Sequence, residues 1–267
     1  MTFLEIVSPL LTSQQPLNHR FVVESWLFAA LSHRDRQIVT AILAGALFIV
    51  GVAAFAALFI VLVVWPTRML IRKYEAWRTR QIQAALSRLG FTLYDQMEGL
   101  HLRFLGLFKI GQRGHSRTIS NHFESARHAD GITTLMEYSF VEGSGRGARA
   151  FRQTLAVIFN KRFELPAFVL APQKFFSWLA QRFGAHDINF DGFPRFNGTF
   201  KLQGDDEAAV RALFTPAVIR ELERHRGITL EGRGGNLLIF RLRKRVRPKN
   251  FPQFHEEAQC LAQLFLP

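Results

Sequence analysis

Residues 37–67 contain no Asp, Glu, Lys, Arg or His, and nothing else in the chain constrains its fold as much. Within this run residues 38–65 are 28 almost wholly apolar positions, roughly 42 Å of helix. A hydrocarbon core of about 30 Å is crossed with length to spare, which tilt absorbs. A helix apolar all round is either a membrane span or the centre of a large core, and no other part of this chain could wrap it. The stretch starts late, is about twice the length of a signal-peptide apolar region, and ends in Trp65-Pro66, which argues against a cleaved leader. Ala44, Gly45, Ala46, Gly51, Ala53, Ala54, Ala56 and Ala57 give it a small-residue surface suited to a neighbouring helix, although the two glycines are spaced six apart rather than four.

The flanks set an expected orientation. Arg68, Arg72, Lys73, Arg78 and Arg80 follow the apolar run, against Arg34 and Arg36 close before it and Arg20 further out. The positive-inside bias therefore places the C-terminal part in the cytoplasm. A single cysteine, Cys260, rules out a disulfide framework and a cysteine-built zinc site, and agrees with a reducing compartment. The apolar stretch at 21–31 holds Glu24 and is too short to span, so it is expected as a helix lying in the interface. The chain thus divides into an N-terminal segment (1–36), a transmembrane helix (37–67), a basic juxtamembrane helix (68–90) and a cytosolic domain (91–267).

After Pro66 a helical pattern resumes, with Ile82, Ala85, Leu86 and Leu89 on one stripe before Gly90 stops it. No Ser/Gly/Pro linker intervenes, so the domain is expected to ride close to the bilayer. Residues 91–117, broken by Gly99, Gly106, Gly111 and Gly114, suggest short strands and loop. Residues 118–127 and 132–142 are strand-like around Ala129-Asp130-Gly131, a hairpin signal. Gly143-Ser144-Gly145-Arg146-Gly147 then leads into a strand over 151–159. Further strands are expected at 165–170 and 196–202, with a helix from Pro172 to Phe183 between them. Asp205-Asp206-Glu207 and Thr215-Pro216 are N-terminal signals for two helices. A hairpin around Gly232-Arg233-Gly234-Gly235 and an amphipathic helix carrying Phe254, Ala258, Leu261 and Phe265 close the chain. Strand pairs with short turns and helices gathered in the second half indicate an α+β domain with a largely antiparallel sheet and several packed helices. Phenylalanine supplies 27 of the aromatics, against 4 Trp and 3 Tyr, and lacks a polar handle, which favours core packing.

Four segments carry a resemblance: Asp130-Gly131-Ile132 through Glu137-Tyr138-Ser139-Phe140; Leu165-Pro166-Ala167-Phe168-Val169-Leu170-Ala171-Pro172; Asp187-Ile188-Asn189-Phe190-Asp191; and Leu202-Gln203-Gly204-Asp205-Asp206-Glu207 running on to Phe214. Together they resemble an uncharacterised family of bacterial membrane-anchored proteins with N-terminal transmembrane helices and a cytosolic α+β domain of unknown function. The resemblance would cover roughly residues 80–266. It implies the architecture and a bacterial inner membrane, and it carries over no catalytic or binding residue.

Several motifs touch on chemistry. Asp187, Asn189, Asp191 and Gly192 match the first half of a calcium loop, but position twelve is Gly198 rather than glutamate and Pro194 interrupts it. His115, His122 and His128 share a neighbourhood, the latter two with the same strand parity, yet match no zinc spacing. His255-Glu256-Glu257-Ala258-Gln259 lacks the second histidine of a zincin helix. The two glycine loops lack a Lys-Ser/Thr ending and join strand to strand, so hairpin turns account for them. Ser144 is not in a Gly-x-Ser-x-Gly elbow, and Cys260 is expected as a small buried thiol. No cofactor is expected.

Charge placement stands out more. The formal net charge is +13, concentrated in residues 68–90 and 241–267. Arg241, Arg243, Arg245 and Arg247 alternate, so a strand continued through them would put all four on one face, with Leu242 and Val246 on the other. Arginine forks suit phosphate, and anionic lipid headgroups are the nearest phosphates; an alternative is a solvated, charged sheet edge. The expected lipid-contact set is Arg68, Arg72, Lys73, Arg241, Arg243, Arg245 and Arg247. Nucleic acid is disfavoured, since the basic face lacks interleaved Tyr or Trp and no recognition motif. The expectation is a noncatalytic binding or scaffold protein that engages a protein partner, another membrane protein or a second copy of itself, beside anionic lipid. The alternative is a membrane-surface enzyme for a lipid or small phosphorylated substrate, using His115, His122 or His128 with Asp187 or Asp191.

Overall fold

The uncharged run and the basic stretch after it form one uninterrupted helical course, His33–Leu89, long and apolar enough to cross a membrane. The computed structural model describes residues 33–94, 98–126, 130–179 and 187–267; the expected interfacial helix at 21–31 and His128 lie outside them. Helix α1 (His33–Phe59) buries none of its side chains within the chain. A π-helical turn, Ile60–Val64, sits just before Pro66, whose missing N–H leaves the local ladder one donor short. Helix α2 (Trp65–Leu86) follows. One compact unit ends at Arg72 and the second is Lys73–Pro267, so the last turns of α2 belong to the domain and contribute Ile82 and Leu86 to its core.

In that second unit the alternating segments form an eight-stranded sheet in the order β1-β2-β3-β4-β8-β7-β5-β6, with all seven neighbouring pairs antiparallel. The strands are β1 (Thr92–Leu93), β2 (His115–Glu124), β3 (Gly131–Glu142), β4 (Arg149–Asn160), β5 (Leu165–Pro172), β6 (Phe200–Gly204), β7 (Thr229–Gly234) and β8 (Asn236–Phe240). The domain is α+β, as expected. Gly143 and Gly145, at φ 78° and 57°, turn β3 into β4 in a conformation that favours glycine. At the β7–β8 turn Arg233 pairs with Asn236 across Gly234-Gly235, with Gly234 at φ 55°.

Both faces are covered. One holds Leu135, Ile158, Phe168, Leu170, Leu230 and Ile239 against α2, α6 (Glu207–Leu213), α7 (Pro216–Leu222) and α8 (Phe251–Gln263). Asp206 Oδ1 accepts from the Ala209 N–H at 3.0 Å and Thr215 Oγ1 from Val218, the caps legible in the sequence. The other face holds Met136, Phe140, Leu155 and Leu238 against α3 (Glu98–Leu105), the turn after it, and α4 (Gln173–Leu179).

Two expectations change. Residues 98–105 are helical rather than strand and loop: Gly106 lies just past the last turn and so bounds the helix. The strand expected over 196–202 begins only at Phe200, because Pro194 at the first helical position starts the short helix α5 (Pro194–Thr199). The helix expected from Pro172 to Phe183 forms over Gln173–Leu179, and residues 180–183 lie outside the described residues.

Glu231 faces the second core layer and is 2% exposed. Its carboxylate accepts from the backbone N–H groups of Lys109 and Ile110, closing the turn after α3. Burial outweighs those bonds and pushes its pKa up to about 7. The folded state therefore binds this proton more tightly than the unfolded chain, and Glu231 withdraws stability as pH rises from its ordinary value of 4.5 to about 7. Denaturation midpoints of wild type and Glu231→Gln across this window should diverge in favour of the variant, by up to about 3 kcal/mol. Parallel curves would contradict the assignment.

Candidate functional site

The basic run after β8 does not continue as a strand. Residues 241–247 lie outside the sheet, and Arg243 adopts a left-handed backbone, φ 58°, so the alternation is broken at its second arginine. Leu242 packs into one core layer and Val246 against the other. The Lys244 N–H donates to the Arg241 carbonyl, and the Lys244 carbonyl accepts from Thr154 on β4. The expectation that all four arginines share one face is therefore corrected, and their roles diverge.

Arg245 turns inward. Its Nε and Nη2 donate to Glu137 at 3.0 and 2.6 Å, and its Nη1 and Nη2 donate to Glu75 at 3.0 and 2.8 Å. Arg78, 4% exposed, approaches Glu137 from α2 as a second fork and also donates to the Val246 carbonyl at 2.6 Å. Asn121 donates to Glu137 Oε2 at 2.6 Å. Burial alone would raise the Glu137 pKa, but the bonds from Arg245 and Arg78 hold it below the usual range. Glu75 is held low by its hydrogen bonds from Arg245 against partial desolvation.

Arg241 forks onto Glu257 of α8, Nη1 to Oε2 at 2.7 Å and Nη2 to Oε1 at 2.6 Å. His225 Nδ1 lies 2.8 Å from the same Oε1. Burial opposes ionisation of Glu257, and the bonds to Arg241 and His225 overcome it. Arg243 swings the other way, its guanidinium 4.4 Å from the centre of the Phe151 ring. Among the described residues Lys244 and Arg247 have no carboxylate partner, and both are exposed.

These groups border a pocket of about 720 Å³ between the basic run and α8, lined among others by Arg241, Lys244, Arg245, Arg247, Asn250 and Gln253. Two of its cations, Arg241 and Arg245, are fixed by carboxylates and two, Lys244 and Arg247, are not; Glu256 also lines the mouth, which keeps a small positive excess. Cys260 opens onto it and is exposed, contrary to the expected buried thiol: it lies on the outward side of α8, whose inward stripe is Phe254, Ala258 and Leu261. The arrangement can bind an anion. Arg68, Arg72 and Lys73, the rest of the expected contact set, are exposed on α2.

The enzyme set does not converge. His115 stands at the start of β2, its ring nitrogens 3.0 Å from Ser116 Oγ and 2.9 Å from the Gly143 carbonyl. His122 is buried near the other end of β2. Asp187 pairs with Lys201 on β6 and accepts from Gln203 at 2.9 Å; β2 and β6 are six places apart in the sheet, on the order of 29 Å. The same pairing occupies the first oxygen of the half-matched calcium loop that the sequence already argued against, while the Asn189 carbonyl accepts from Arg211 at 2.8 Å. His255 packs edge-on against Phe91, centroids 5.0 Å apart. What does converge is His122 with His101 and Glu124; His101 went unnoticed because its helix lay in a stretch whose glycines suggested loop.

The fold is similar to a solved one, the crystal structure of the mycobacterial trehalose monomycolate transport factor A, TtfA. The two share 12% identity at a TM-score of 0.51, over 71% of this chain and 96% of that one. No family model matches the chain, and no curated protein matches it. At this identity the likeness establishes the shared architecture, a helix-covered antiparallel sheet, and assigns no site.

Proposed function

We propose that this chain is a single-pass, membrane-anchored, noncatalytic binding protein whose domain engages an anionic lipid phosphate, next to a protein partner, through the basic pocket at the end of β8. The observation that carries the reading is the pocket itself: Arg241 and Arg245 are locked by carboxylates, while Lys244 and Arg247 are left for an external anion. The apolar course of α1 supplies the anchor. Arg68, Arg72 and Lys73 follow it and support a cytoplasmic domain resting on anionic headgroups. The structural neighbour is described as a transport factor, a description that fits a binding role.

The test uses full-length protein in zwitterionic nanodiscs, titrated with short-chain phosphatidic acid at low salt. Replacing both Lys244 and Arg247 by Ala should weaken binding by about 2 kcal/mol, roughly thirtyfold, at about 1 kcal/mol per basic residue. Arg243→Ala, directed at Phe151, should leave it unchanged. Equal losses in the two variants would mean diffuse surface attraction and overturn the pocket assignment.

A further inference from the structure

Strand β2 carries a bulge. Ser120 pairs with Glu137 and Phe123 with Leu135, so two residues of β2 oppose one of β3, and Asn121 takes φ 51°. A bulge reverses side-chain parity beyond it. Asn121 thereby reaches Glu137 on the α2 side, and Phe123 enters that core layer. His122 and Glu124 are delivered to the opposite face, where α3 brings down His101.

The three side chains offer ligand atoms that all lie within 4.8 Å of one another. Glu124 Oε1 is 3.3 Å from His122 Nε2 and 3.8 Å from His101 Nε2, and the two imidazole centroids are 4.0 Å apart. Ligands at about 2.0–2.1 Å from a tetrahedral zinc ion stand about 3.4 Å from each other, so small side-chain rotations would bring these atoms onto one centre. A second observation is independent of the spacing. His122 is 5% exposed, and among the described residues its buried Nε2 makes no hydrogen bond, the Glu124 oxygen standing 3.3 Å away as an ion-pair contact only. Orphaned buried polar atoms are uncommon, and this one is aimed into the cluster.

We infer that His101, His122 and Glu124 form a binding site for a divalent transition metal ion, zinc by its two-imidazole, one-carboxylate donor set. Three protein ligands leave a fourth position for water or an external donor. The site tethers α3 to β2, and it is separate from the basic pocket.

Full-length protein in detergent, stripped with a chelator, is titrated with zinc chloride against a competing metal dye. One equivalent should bind, and His101→Ala and Glu124→Gln should each weaken it by at least about tenfold. Neither position is in the fully buried core, and both variants should keep the thermal transition of the metal-free wild type. Cobalt(II) loaded instead of zinc should give the visible absorption of a four-coordinate site in wild type and lose it in His101→Ala. Failure to retain an equivalent of zinc, or variants that bind like wild type because the ion sits on other histidines, would overturn the assignment.

Discussion

Replacing Glu137 by Ala should cost the domain about 3–5 kcal/mol, the penalty for removing one partner of a buried ion cluster. For a unit of this size that lowers the melting temperature by about 6–20 °C. The reason is geometric. Glu137 is 3% exposed and is the shared acceptor for Arg78, Arg245 and Asn121; without it the almost fully buried Arg78 has no carboxylate partner among the described residues, and Arg245 keeps only Glu75. Arg245→Ala should cost less, because Glu137 keeps Arg78 and Asn121. The Arg152–Glu75 contact, at 3.7 Å with Arg152 more than half exposed, should contribute little. The folded-state pKa values of Glu137, Glu75 and Glu257 are all lowered. Their stabilisation is therefore complete above the ordinary carboxylate range and is lost as pH falls through it toward the folded values. Glu137→Ala should lose stability less steeply in acid than wild type. Chemical denaturation of full-length protein in detergent measures both effects, and a Glu137→Ala midpoint within about 1 kcal/mol of wild type would contradict the cluster's structural role.

A second large effect is expected where β5 meets β7. Phe168 pairs with Gly232 across the strands, and its ring occupies the space a Cβ would need: a methyl built on Gly232 would stand 2.1 Å from the ring edge. Phe168 is 1% exposed and packs against Phe214 and Phe265, at centroid distances of 5.2 and 5.8 Å. Phe168→Ala should therefore cost about 3–5 kcal/mol by leaving a cavity, and Gly232→Ala about 1–3 kcal/mol by overpacking. The two should not add. With the ring removed the new methyl has room, so Gly232→Ala in the Phe168→Ala background should be close to neutral. Additive losses would mean that Gly232 is required for its backbone rather than as the seat of the ring.

Legibility tracked how local the signal was. The apolar helix, the β3–β4 hairpin, the Asp206 and Thr215 caps and the stripe of α8 each rest on neighbouring residues, and the fold class followed from them. Gly232 was taken for part of a turn because its role is set by Phe168, 64 positions earlier. The basic run was visible as composition, but its geometry depends on a left-handed Arg243 and on three carboxylates, Glu75, Glu137 and Glu257, from three separate segments. His122 was visible and its partners were not: the bulge that aims it and the helix that carries His101 are both tertiary features. The pairing of Arg78 with Glu137, 59 positions apart, has no local signature at all.

The most direct test of the central claim is native mass spectrometry of the full-length protein, extracted gently from its own membrane, with Lys244→Ala/Arg247→Ala prepared in parallel. The account predicts one anionic phospholipid retained per wild-type chain and lost from the double variant. A wild-type chain without phospholipid, or a double variant that keeps it in equal amount, would contradict it.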